Sequence, residues 1–173
     1  MLIRSGLVAL AAVLLCACGK PQSGAQLYQQ GKAAMDKGNK AEAIKLFERA
    51  VLADPKHHDA HSRLGKLYLD NKDDKNAVKH MEAAVASDPA DAKAQFRLGE
   101  AYLADHKNTE AIETLRTAIR LDAKQGGPYV KLAKAYRRAG DNAKADNAIR
   151  EGLAKVPPTD TYYKQLQNPQ SGQ

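Results

Sequence analysis

His58–Asp91 reads HDAHSRLGKLYLDNKDDKNAVKHMEAAVASDPAD, and Ala92–Gln125 follows it in register as AKAQFRLGEAYLADHKNTEAIETLRTAIRLDAKQ. The same 34-residue frame extends back over Gly24–His57 and forward over Gly126–Thr159, without insertion or deletion. Small residues mark it: Gly31, Gly65, Gly99 and Ala133 at place eight; Ala43, Ala77, Ala111 and Ala145 at place twenty; Ala50, Ala84, Ala118 and Gly152 at place twenty-seven. Larger residues hold other fixed places, with Tyr68, Tyr102 and Tyr136 at eleven and Phe47, Met81, Leu115 and Ile149 at twenty-four. A constant period of this length describes stacked structural units.

Each unit carries two apolar runs at helical spacing. In the second block Leu64, Leu67 and Tyr68 share one face, and Ala77, Val78, Met81, Ala84 and Val85 share another. Between the runs, Gly38 and Gly140 suit a left-handed helix end, and Asn39, Asp73, Asn108 and Asp141 are the expected N-caps of the second helix. Asp54-Pro55 and Asp88-Pro89 stop that helix, because proline lacks an amide donor and restrains its predecessor. Each unit is thus a helical hairpin, closely packed where Gly or Ala lets the two helices approach. One hairpin cannot bury its apolar faces alone; four in a row share a core.

Period, small places, the place-eleven tyrosine and the terminal proline together resemble the tetratricopeptide repeat family from Gly24 to about Pro157. The resemblance implies an all-α solenoid of four hairpins; beyond it Thr159–Gln167 (TDTYYKQLQ) is expected to form a short capping helix over the last hairpin, at about 159–167, and residues 168–173 a disordered tail. Three blocks depart from the pattern. Gln30 and Ala34 replace large residues in the first, which is expected to be the least tightly packed; Ala123 stands for proline in the third, and Asp146 for Ile or Val in the fourth.

The first residues are of another kind. Arg4 precedes an apolar run from Leu7 to Leu15, too short for a bilayer span of roughly 20 residues and fitting a secretory signal. Leu15-Cys16-Ala17-Cys18 resembles the lipobox of bacterial lipoproteins. This implies cleavage of residues 1–17 as a signal peptide and fatty acylation, palmitate included, of Cys18. An ordinary cleaved signal peptide is the alternative; a disulfide is disfavoured because cleavage removes Cys16, leaving no second cysteine. Gly19 in place of an aspartate favours the periplasmic face of an outer membrane. Residues 18–23 then form a linker spanning at most roughly 20 Å, which keeps the repeats near the leaflet.

The chain has 27 Lys and Arg against 20 Asp and Glu, a formal charge of +7. In the resembled family, first helices line a concave groove through places two, five, six, nine and twelve or thirteen. Those places here hold Tyr28, Lys32, Arg63, Lys66, Lys93, Phe96, Arg97, Lys131 and Lys134, with Arg137 and Arg138. Asp36, Asp59, Asp70 and Glu100 oppose them. Some members clamp the C-terminal carboxylate of a peptide there, and Lys93 and Arg97 match two of the clamp's basic positions. Tyr28, Lys32 and Arg63 occupy the others, so the expectation is a groove for acidic or C-terminal peptide, against a solvated face whose charges serve solubility.

No phosphate loop, nucleophile motif or catalytic constellation is present, and neither cofactor nor metal is expected. His58 and His61 are spaced to meet one ion beside His57, but no third ligand is identifiable and polar surface between repeats is the favoured reading. Export argues against nucleic acid. The sequence therefore reads as a monomeric, non-enzymatic, lipid-anchored scaffold for an envelope protein or peptide, and the resemblance to family members with this anchor implies a place in pilus, secretion or wall and polysaccharide machinery. A glycan-binding accessory and a self-associating spacer are the alternatives.

Overall fold

The computed structural model describes residues 21–169; the signal segment and Cys18 lie outside them. All regular structure among these residues is helical: α1 Gly24–Asp36, α2 Lys40–Ala53, α3 His58–Asp70, α4 Asp74–Ser87, α5 Ala92–Ala104, α6 Asn108–Leu121, α7 Gly126–Arg138, α8 Asn142–Lys155 and α9 Tyr163–Gln167. The first eight form four antiparallel hairpins, α1–α2 through α7–α8, each stacked on the next, and α9 closes the end against α7 and α8. This is the anticipated solenoid with its short C-terminal helix. No helix here is long and apolar enough to cross a membrane.

The small places explain the closeness of each hairpin. A Cβ added at Gly31 would lie 2.5 Å from the Phe47 ring, and one at Gly99 would lie 2.5 Å from Leu115. Place eight therefore receives the place-twenty-four side chain of the same hairpin, and Phe47, Met81 and Leu115 are fully buried there. Ala43, Ala77, Ala111 and Ala145 are likewise without exposure. Burial of this kind contributes about 25 cal/mol per Å² of apolar surface.

Side chains end the helices as well as pack them. Asn39, Asp73 and Asp141 accept from the amides of Glu42, Asn76 and Lys144. Asn108 does not cap α6: Lys107 holds that position without a side-chain bond, and Asn108 is the first helical residue, its Oδ1 buried and unpartnered. At the opposite end the aspartate is the stop. Asp54, Asp88 and Asp122 turn extended and accept through Oδ1 from the amides of Lys56, Ala90 and Lys124. The third block therefore ends its helix in the same place although Ala123 replaces proline. Gly38 and Gly140 turn with φ of 76° and 82°, and Lys72 and His106 take the same left-handed turn at 59° and 60°.

Two expectations are corrected. The first hairpin is not loosely packed, since Ala43, Phe47 and Ala50 have no exposure. Its unusual residues fit its position in the stack: places seven and eleven face the preceding repeat, as Tyr68 does by reaching Glu48, and among the described residues no repeat precedes the first block. Nor does order end at Gln167. The Asn168 amide bonds Lys164 O, and Arg137 donates to Pro169 O at 3.3 Å. Residues 170–173 of the expected tail lie outside the described residues.

Candidate functional site

First helices present places six and nine on one side of the stack, where α3, α5 and α7 enclose a hollow of about 730 Å³. It gathers Lys66, Lys93, Phe96, Arg97 and Lys131 of the predicted groove, together with Leu69, Asp70 and Tyr162. Lys93 and Arg97 are one helical turn apart on α5, which sets both on one face. Neither they nor Lys66 has an ion-pair partner within 4 Å among the described residues. Lys131 differs: its Nζ lies 2.9 Å from Glu100 Oε1, so its charge is already matched. With Asp70 also present, the hollow keeps a positive excess carried by Lys66, Lys93 and Arg97.

Phe96 forms the apolar part. Its ring occupies the space above Gly127, where an added Cβ would lie 2.7 Å from Cζ, and meets Tyr162 edge-on at 6.3 Å between centroids. Tyr162 comes from the turn before α9, so the C-terminal segment completes one wall. No repeat pattern signals that residue.

The other predicted groove residues are not gathered there. Tyr28 is 8% exposed and packs on Phe47 at 5.6 Å and His57 at 4.8 Å, which makes it core. Lys32 lies 5.9 Å over the Tyr28 ring. Arg63 is exposed on α3, outside the hollow. Lys134 lines a separate recess of about 370 Å³ with Val130, Arg137 and Pro169. Within that end of the stack Arg138 donates to Leu103 O at 2.5 Å, and Arg137 lies 3.6 Å from Asp146. Asp146 stands where the other blocks turn an apolar residue toward the following repeat; among the described residues only the short α9 follows the fourth block.

The histidines diverge instead of converging. His57 caps α3 through the Ala60 amide. His58 meets Ala84 O at 3.0 Å and Asp91 Oδ2 at 3.1 Å, closing the two ends of its hairpin. Burial alone would raise the Asp91 carboxyl, but the Ala94 and Lys93 amides and His58 outweigh it and hold it below the usual range. His61 points to a buried partner, His80, with Nδ1 to Nδ1 at 3.0 Å, and to Pro55 O at 3.2 Å. Among the described residues no three His, Cys, Asp or Glu side chains are placed to hold a metal ion.

Comparison with known proteins agrees with this architecture. A tetratricopeptide repeat family profile matches residues 28–92 and 75–128, more than half of the chain. No curated protein sequence matches. Among solved structures, MamA from residue 41 onward of Desulfovibrio magneticus RS-1 is 28% identical with a TM-score of 0.71, over 88% of this chain and 79% of that one. A MamA RS-1 double mutant is 28% identical with a TM-score of 0.70, over 87% and 78%. TTC0263, a thermophilic TPR protein of Thermus thermophilus, shares the fold at 22% identity and a TM-score of 0.59, over 76% and 74%. The fold is one that binds protein partners along its stacked helices. Hairpins of one period, a profile spanning most of them and a shared solenoid place this chain in the tetratricopeptide repeat family.

Proposed function

We propose that the chain is a lipid-anchored periplasmic scaffold that holds an acidic or C-terminal peptide segment of an envelope-assembly protein in its concave groove. The observation that carries the reading is the hollow of about 730 Å³ in which Lys66, Lys93 and Arg97 stand unmatched beside Phe96. Apolar floor and free cations suit a peptide that offers a carboxylate next to an apolar side chain. Arginine adds geometry, since its planar fork pairs both carboxylate oxygens. Anchoring rests on the sequence around Cys18. Acyl chains add about 0.8 kcal/mol per buried methylene, so several on one residue hold the domain at the leaflet.

In-cell crosslinking of the wild type beside Lys93→Glu, Arg97→Glu tests the groove. One envelope protein should be captured by the wild type, with at least a tenfold loss in the variant. Equal capture moves the partner to another face, and no captured protein favours the glycan or self-association readings. Cys18→Ala should move the chain from membrane to soluble fractions and abolish palmitate labelling; retention with label overturns the anchor assignment.

A further inference from the structure

Departures from the repeat pattern sort by position. Gln30 and Ala34 in the first block and Asp146 in the fourth stand where no further repeat is stacked among the described residues. The third junction, where α7 stacks on α6, lies inside the array, and there three places change together. Place twenty-five holds Glu48, Glu82 and then Arg116; place thirty-two holds Pro55, Pro89 and then Ala123; place twenty-three holds His80, Thr114 and then Ala148.

The consequence is a tyrosine without its partner. Tyr68 Oη donates to Glu48 Oε1 at 2.6 Å and Tyr102 Oη to Glu82 Oε1 at 2.7 Å, so at two junctions place eleven reaches a carboxylate of the preceding repeat. Tyr136 occupies the same place opposite Arg116, and its hydroxyl has no hydrogen-bond partner among the described residues. Small residues at Ala123 and Ala148 leave a hollow of about 610 Å³, lined by Arg116, Arg120, Tyr136, Lys144, Glu151 and Lys155 among others. Glu151 is matched by Lys155 at 2.7 Å. Lys144 lies 5.9 Å over the Tyr136 ring while pairing with Asp141 at 2.6 Å. Arg116 has no ion-pair partner within 4 Å among the described residues. The recess is therefore positive and holds a spare hydroxyl donor.

We infer that this hollow between α6 and α8 receives a glutamate or aspartate side chain from an acidic segment of a protein partner. The intact junctions show which group fits beside a place-eleven tyrosine: a carboxylate at hydrogen-bond distance. The partner's carboxylate restores from outside the pair that the chain itself supplies twice. Tyr136 donates to it and Arg116 matches its charge, bidentate where the fork allows. The hollow shares no lining residue with the concave groove, so this surface stands whether or not the groove binds peptide.

Arg116→Glu tests it cleanly, because the variant copies the first two junctions and keeps the fold. The probe is an acetylated, amidated hexaglutamate peptide titrated into the ¹⁵N-labelled full chain in mild detergent. The amides of Arg116, Tyr136 and Lys144 should shift, and affinity read there should fall at least tenfold in Arg116→Glu and about threefold or more in Tyr136→Phe. Lys93→Glu, Arg97→Glu should leave it within twofold. Shifts confined to the concave groove, unchanged affinity in Arg116→Glu, or equal binding of a hexaglutamine peptide would each overturn the inference. Inorganic phosphate perturbing the same amides at equal concentration would overturn the peptide assignment in favour of a free anion.

Discussion

At place four, three chemically different side chains do one job. His61 Nε2, Gln95 Nε2 and Tyr129 Oη each donate to the carbonyl six residues earlier, Pro55 O at 3.2 Å, Pro89 O at 3.1 Å and Ala123 O at 3.3 Å. The carbonyl that closes one repeat is thus satisfied by the first helix of the next, and a buried carbonyl left bare is costly. Place eleven adds a second tie at two junctions. Burial first, then the bond to Glu48, pushes the Tyr68 hydroxyl up to about 12, and the Tyr102 hydroxyl is raised by the same causes with Glu82. Tyr68→Phe and Tyr102→Phe should each cost about 1.5 kcal/mol, the lower end for a bond to a charged acceptor, while Tyr136→Phe should stay within about 0.5 kcal/mol. Urea midpoints at unchanged slope measure this; a Tyr136→Phe cost equal to the others would show an unrecognised intramolecular acceptor. The Glu-to-Tyr offset of twenty residues is visible in the sequence once known. The place-four bond is not, because His, Gln and Tyr share no hydropathy and only geometry aligns their polar atoms.

The hairpin α3–α4 contains an interaction that helical periodicity does not reveal, since His61 and His80 stand nineteen residues apart. Pro55 O can only accept, so His61 Nε2 carries its proton, His61 Nδ1 accepts, and His80 Nδ1–H donates to it. The His80 ring also stacks on Tyr68 at 5.5 Å. Both rings are 8% exposed. Burial, then repulsion from His61 and Lys79, against attraction to Glu48, lowers His80 to about 4. Burial likewise lowers His61, with His57 and Lys79 lowering it and the Pro55 bond and Asp54 raising it. The unfolded chain therefore binds more protons than the folded one between about pH 6.5 and 4. Stability is complete above that window and falls as pH drops through it, by roughly 2 kcal/mol at pH 5 from His80. Copying the next junction with His61→Gln, His80→Thr should remove most of that loss between pH 7.5 and 5; an unchanged slope would place the titration elsewhere. Helix limits were far more legible. Asn39, Asp73 and Asp141 read as caps because their spacing alone determines the bond, whereas Asn108 lies one residue too far along and loses it.

For the whole molecule, the substantial contacts join only helices near one another along the chain, so stability accumulates from neighbouring interfaces. That locality is why period and small residues disclosed the solenoid, and why the concave hollow was legible only in part. Lys131 is silenced by Glu100, and Tyr162 enters from beyond the last block; both depend on packing between segments rather than on the frame. The end of the array shows the same logic. Counted onward, Tyr163 and Leu166 fall at places four and seven of the same frame, on the short α9, and Leu166 is fully buried against Gly152. A fragment of one helix thus covers the face that a whole repeat would cover. Leu166→Ala should cost about 2–5 kcal/mol, the range for a buried leucine left as a cavity. In a linear array this cost stays local. At a loss of about 3 kcal/mol, amides of α7 and α8 should exchange on the order of 100-fold faster, with α1 to α4 unchanged. Hydrogen exchange resolved by helix reads the difference directly. A uniform acceleration from α1 to α8 would mean that the four repeats unfold as one cooperative unit, and that α9 guards the entire stack.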